Sequence, residues 1–113
     1  MPKKRSSGTP DQGAVFEALG DATRRGILEQ LRRQPCSVGT LAKAQPVSRP
    51  AVSQHLRVLH EAGLVDYRAD GTKNIYFLNP DGLDALRSWL DTFWQDALDA
   101  FTEFVRRTER LDS

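Results

Sequence analysis

Ser48-Arg49-Pro50-Ala51-Val52-Ser53-Gln54-His55-Leu56-Arg57-Val58-Leu59-His60-Glu61-Ala62-Gly63-Leu64-Val65 is the stretch on which the fold turns. Ser48 has the chemistry of a helix cap, because its hydroxyl can accept from a backbone N–H that the first turn leaves without a partner. Pro50 falls in that first turn, where a missing N–H costs nothing, and Gly63 follows the helix end. Set at 100° steps, Val52, Leu56, Leu59, His55, Ala51, Ala62 and Val58 share one arc roughly 160° wide. Ser53, Gln54, Arg57 and Pro50 lie opposite, and Arg49 is borderline by angle but sits in the first turn. Such a helix is held by one side and offers hydroxyl, amide and guanidinium groups on the other.

Working outward, the period changes after Gly63. Residues 64–69 and 72–78 are rich in Val, Tyr, Ile and Phe and are joined by Asp70-Gly71, a strong hairpin signal. On the other side, Ser37 is expected to cap a short helix through Val38, Leu41 and Ala42, with Gln45-Pro46 forcing a turn after it. Asp11 is expected to cap a first helix carrying Val15, Phe16 and Leu19, closed by Gly20 in the left-handed conformation glycine tolerates. Asp21 then caps a second helix with Ile27, Leu28 and Leu31 on its apolar side, stopped by Pro35. Asn79-Pro80 opens a long last helix in which Leu83, Leu86, Leu90, Phe93, Trp94, Ala97, Leu98, Phe101, Phe104 and Val105 recur at helical spacing. Two helices joined by a tight turn and followed by a hairpin describe a winged helix-turn-helix, mainly α with a small β-hairpin. The expected organisation is a flexible basic arm over 1–10, the winged helix-turn-helix over 11–80, and a C-terminal amphipathic helix over 81–113 packed on the same domain.

The chain has 113 residues, 39% of them apolar and 27% charged, which suits one folded domain. Charge is unevenly spread. Residues 1–80 hold twelve Lys/Arg against seven Asp/Glu, and residues 81–113 hold four against eight. A basic first part fits a polyanionic partner. No apolar run approaches the ~20 residues that span a bilayer. The start, Met1 to Gly8, is basic but lacks an apolar core, so no secretory signal is read there, and a cytoplasmic protein is expected. A single cysteine, Cys36, excludes an internal disulfide framework and an all-cysteine zinc site. No nucleophile–base–orienter set and no phosphate-cradling glycine loop is present, so neither an enzyme nor a cofactor is expected.

The exposed chemistry of the Ser48 helix suits the major groove of double-stranded DNA. Arginine can grip guanine bidentately, glutamine can grip adenine, and serine can bond either a base or a phosphate. Ser48, Arg49, Pro50, Ser53, Gln54 and Arg57 are therefore the candidate reading residues. Arg68, Thr72 and Lys73 of the hairpin are candidates for the backbone or minor groove. On the last helix the apolar arc is about 140° wide, more than a short domain covers alone. Leu90, Phe93, Trp94, Ala97, Phe101, Phe104 and Val105 there, with Val15 and Phe16 of the first helix, are the candidate dimer interface.

Phe16-Glu17-Ala18-Leu19-Gly20-Asp21-Ala22-Thr23-Arg24-Arg25-Gly26-Ile27-Leu28 resembles the opening motif of ArsR-type bacterial transcriptional regulators. The stretch from Ala51 to Val65 resembles their recognition helix and entry to the wing, and the stretch from Trp89 to Trp94 a branch whose last helix carries Trp and Phe-Trp. The resemblance implies a homodimeric winged-helix repressor on a roughly palindromic operator, with the first and last helices making the dimer. Metal-sensing members carry a cysteine pair before the turn, where this chain has Ser37 and Gly39 with Cys36 beside them. Others place Asp and His ligands on the last helix, but no histidine follows His60. His55 and His60 stand about 140° apart around their helix and cannot share one ion. Neither a metal site nor a small-molecule effector is expected.

The remaining residues have plain readings. His55 is expected inside the apolar arc as a core or interfacial histidine, and Cys36 in packing, with a redox switch as its alternative. Asp96, Asp99 and Glu103 are read as the solvated side of an amphipathic helix. Lys3-Lys4-Arg5 either enters a minor groove or keeps the tail in solution. The rival to a DNA reader is a winged-helix interaction module that binds a protein through its aromatic last helix. Asp66, Asp70 and Glu61 would favour that rival by repelling phosphate.

Overall fold

The computed structural model describes residues 11–112, so the basic arm expected over 1–10 lies outside the described residues. Five helices and three strands follow in the order α1 (Gln12–Leu19), α2 (Ala22–Arg33), β1 (Cys36–Ser37), α3 (Val38–Ala44), α4 (Arg49–Glu61), β2 (Val65–Asp70), β3 (Lys73–Leu78) and α5 (Pro80–Asp112). The caps fall where side-chain chemistry places them. Asp11 accepts from the N–H of Gly13, Asp21 from Arg24, Ser37 from Thr40 and Ser48 from Ala51. Asn79 opens α5 by accepting from the N–H of Asp81.

Two local expectations are corrected. Gly20 does end α1, but at φ −76° in the right-handed region, so its left-handed freedom is not what stops the helix. Instead Arg24 donates to the carbonyls of Glu17 and Ala18, and Arg25 to that of Leu19. Two side chains of α2 thus take the acceptors that α1 leaves open. The hairpin loop is Gly71-Thr72 rather than Asp70-Gly71, because Asp70 still pairs with Lys73. Gly71 has φ +65°, and a positive φ at the first loop residue is what a type II′ turn requires.

A third strand escapes the sequence reading. β1 pairs antiparallel with β3, Cys36 opposite Tyr76 and Ser37 opposite Ile75, giving the strand order β1-β3-β2. Two residues carry no periodicity that would have announced them. The strand matters because a two-stranded hairpin is marginal alone, and β1 ties the wing to the start of α3.

Val15, Ala18, Ile27, Leu31, Cys36, Leu41, Val52, Leu56, Leu59, Ala62, Leu64 and Val65 form one buried core. Gly63, at φ +79°, turns the chain out of α4. Its carbonyl accepts from the N–H of Gly82, which brings the first turn of α5 against the backbone there. Gly82 and Ala85 are buried, and Leu83 and Leu86 pack on the core. Beyond them α5, 33 residues and so about 50 Å long, runs past the body of the domain.

Candidate nucleic-acid interface

Helix α4 is held from behind. Val52, Leu56 and Leu59 are buried against the other helices, while Ser53, Gln54 and Arg57 are exposed on the opposite face with Ser48, Arg49 and Pro50 at its start. Burial of each such aliphatic side chain stabilises by roughly 1.5–3 kcal/mol, enough to fix which face looks out. His55 lies at the edge of the buried arc, half-buried, its Nδ1 3.4 Å from an Arg24 guanidinium nitrogen and 3.9 Å from the Asp21 carboxylate. A guanidinium can only donate, so Nδ1 accepts there. The backbone N–H of Arg24 holds the Asp21 carboxyl below its usual range against a desolvation that opposes, with the Arg24 charge adding to it. Arg24 therefore links the end of α1 to the middle of α4. Sequence reasoning missed it, since nothing local to Arg24 points 31 residues ahead.

The wing presents its cations by strand register. Arg68 lies opposite Ile75 and Asp70 opposite Lys73, so Arg68 and Lys73 share one face of the ribbon. Arg68, Thr72 and Lys73 are all exposed. Lys73 and Asn74 run on past the end of β1, which pairs only as far as Ile75. Beside them opens a cleft of about 420 Å³, lined by Thr40 and Lys43 of α3, Arg49 of α4 and Thr72, Lys73 and Asn74 of the wing. It joins two groups that the sequence keeps apart and adds Thr40, Lys43 and Asn74, which had gone unnoticed. No carboxylate lines it among the described residues. Nor do Lys43, Arg49, Arg57, Arg68 or Lys73 have an ion-pair partner among them.

Of the three acids that would repel phosphate, one faces a histidine and one lies on the α1 side. Asp66 sits 3.5 Å from His60 Nε2 at the far end of α4. Glu61 lines a groove with Ala14, Glu17 and Arg24 on the α1 side. Asp70 stays at the wing tip, exposed.

The expected dimer residues divide. Val15 is 1% exposed and belongs to the protomer's own core, because it lies on the α1 face that packs inward with Ala18. Phe16, one position on, reaches the outer face and meets Trp89 edge-on at 4.9 Å, and Trp89 stacks on Phe93 at 5.1 Å. Leu90, Phe93, Trp94, Ala97, Phe101 and Phe104 are exposed on α5, with Phe101 at 63% and Trp94 at 63%, and Val105 is half-exposed.

A profile described as bacterial regulatory protein, arsR family, matches residues 21–67, from the cap of α2 into the wing. The HTH-type transcriptional regulator Rv2034 of Mycobacterium tuberculosis is 50% identical over 97 residues, covering 86% of this chain and 89% of that one. The chain belongs to the ArsR family. Members of the family are transcriptional regulators, not enzymes. The transcriptional repressor SdpR of Bacillus subtilis is 33% identical and is matched over 88% of its length and 70% of this chain. Among solved structures, a possible transcriptional regulator for arsenical resistance superposes with TM-score 0.68 at 45% identity, over 79% of this chain and 93% of its own. A homodimeric winged helix-turn-helix DNA-binding domain from Mycobacterium bovis, a possible ArsR-family regulator, gives TM-score 0.62 at 25% identity, over 87% and 92%.

The resemblance to metal-sensing members implies that their cysteine pair would fall at Ser37 and Gly39, at the start of α3. The residues there do not fit a metal. Ser37 is occupied as a cap and donates to Thr40 Oγ1, and the Cys36 thiol is buried and donates to the Gln34 carbonyl. Burial also pushes that thiol's pKa up, away from the thiolate a metal needs. No group of three or more His, Cys, Asp or Glu gathers to hold an ion among the described residues.

Proposed function

We propose that the protein is a homodimeric repressor that binds a pseudo-palindromic operator, reads it with α4, and does so without sensing a metal. One observation carries the reading: an exposed Ser53-Gln54-Arg57 face on a helix fixed from behind, flanked by exposed cations that have no ion-pair partner among the described residues. Bases are specified by side chains in the groove, and phosphates position the protein. On this reading Ser48, Arg49, Pro50, Ser53, Gln54 and Arg57 meet the major groove, and Arg68, Thr72 and Lys73 hold the backbone. Repression is supported by the likeness to SdpR, and the dimer by the homodimeric M. bovis domain. The bare apolar face of Phe16, Leu90, Phe93, Trp94, Ala97, Phe101, Phe104 and Val105 supplies the surface for a second copy. A dimer places two reading helices on one side of the duplex, at half-sites roughly 34–36 Å or a multiple apart. No helix of the described residues is long and apolar enough to cross a membrane, and action on DNA in the cytoplasm is the setting proposed.

Selection of bound sites from a random DNA library, followed by titration at two salt concentrations, tests it. A two-fold symmetric site, bound with affinity that falls steeply with salt, is expected through counterion release. Little binding at either concentration would overturn it in favour of a protein-interaction module.

A further inference from the structure

Resting on that reading, we propose that the cleft between α3 and the wing is a joint phosphate site. Lys43, Arg49 and Lys73 close together on one backbone phosphate at the edge of the major groove, so that Arg49, the first residue of α4, anchors the reading helix there while Ser53, Gln54 and Arg57 meet the bases. The helix-turn-helix and the wing thereby grip the same point of one strand. The three cations come from α3, α4 and β3 and line one cleft of about 420 Å³ that no carboxylate lines among the described residues, and Asp70, opposite Lys73 in the strand register, makes no ion pair with it. A phosphodiester supplies one negative charge against the cations' mutual repulsion and two unesterified oxygens as acceptors for charge-assisted hydrogen bonds. Thr40 adds a hydroxyl to the lining that can donate, because its Oγ1 accepts from Ser37 and its own proton is not used in that bond. The jaws are held at a fixed spacing. Ser37 caps α3 and at the same time pairs with Ile75 of the wing, so α3 and β3 are tied together beside the cleft. DNA is the source of the phosphate because Arg49 begins the helix that carries Ser53, about 6 Å further along its axis. A phosphate held by Arg49 is thus about one helical turn from the face that meets bases.

Contacts that share a phosphate do not add, and this separates a joint site from three independent ones. The test measures binding of Lys43→Ala, Lys73→Ala and the double variant to the selected operator and to random duplex across salt. Arg57→Ala serves as the reading control. Each single variant is expected to weaken both duplexes at least about threefold and to flatten the log–log salt slope by about one phosphate per subunit. The double variant is expected to flatten it scarcely further, and base preference should stay unchanged throughout. Wild-type affinity and slope in Lys43→Ala, or a double variant equal to the sum of the singles, would overturn the joint site. If Arg57→Ala still shifts base preference in that case, the reading of DNA by α4 stands. Absence of salt-dependent duplex binding by the unmodified protein would instead end both. Inorganic phosphate at matched ionic strength is expected to displace no more DNA than chloride does. Displacement that Lys43→Ala abolishes would assign the cleft to a small phosphate-bearing ligand and overturn the proposal.

Discussion

Arg57 and Lys73 carry the same charge towards the same polyanion, yet their removal is expected to read differently. Arg57 projects from the exposed face of α4, where a guanidinium can meet the edge of a base. Lys73 sits at the end of a ribbon, where a flexible ammonium meets backbone. Arg57→Ala or Gln54→Ala should cost about 1–3 kcal/mol on the best site and relax preference at particular base pairs. Lys73→Ala should weaken all sequences alike. Binding of each variant to a panel of single-base operator mutants decides, and a wing variant that altered base preference would reverse the two roles. Cys36 offers a second test. Its thiol is buried and its pKa is raised by desolvation, so a small alkylating reagent should modify it at least about tenfold more slowly in the folded protein than in urea. Cys36→Ser, and addition of zinc or a chelator, should leave DNA affinity within about threefold, a shift under ~0.7 kcal/mol. A tenfold change with stoichiometric zinc would put a metal back into the mechanism.

Among the elements, α5 depends on one close approach. The N–H of Gly82 donates to the Gly63 carbonyl at 3.0 Å, and a Cβ at Gly82 would run into that carbonyl's backbone. Backbone cannot swing aside as a side chain can, so Gly82→Ala has to lift the first turn of α5 off the α4–β2 junction. A loss of about 1–3 kcal/mol is expected, as for other overpacked sites, seen as a lower urea midpoint. An unchanged midpoint would show that α5 docks without this contact. Little of this was legible in the sequence. The caps of α1, α2, α3 and α4 and the turn glycine of the wing were, because each works within a few residues of itself. Gly82 reads as one more glycine in a helix until Gly63 is brought beside it.

For the whole molecule the open question is the bare face of α5. A helix about 50 Å long with Trp94, Phe101 and Phe104 exposed is costly to leave in water, and each such side chain is worth roughly 2–3 kcal/mol when buried. In a two-fold pair every substitution counts twice, so Phe101→Asp should convert a dimer to a monomer. Sedimentation at micromolar concentration would show it, and a dimer unchanged by Phe101→Asp would move the interface elsewhere. DNA affinity should fall with dimer loss, since a monomer engages one half-site.

By itself, the sequence determined the elements and their faces: capped helices, an amphipathic α4 with Ser53, Gln54 and Arg57 outward, a hairpin with glycine at its turn, and a long aromatic helix. All of these rest on neighbours three or four residues apart in a helix or two apart in a strand, and that spacing is written in the chain. What only the tertiary structure decided is which elements meet. Val15 faces inward and Phe16 outward, Cys36-Ser37 becomes a third strand on the wing, Arg24 reaches from α2 to His55, and Lys43, Arg49 and Lys73 line one cleft. Those contacts join residues from six to over thirty positions apart, and no local propensity encodes them. They exist because burying Val52, Leu56 and Leu59 against the other helices leaves the elements one arrangement in which the core closes.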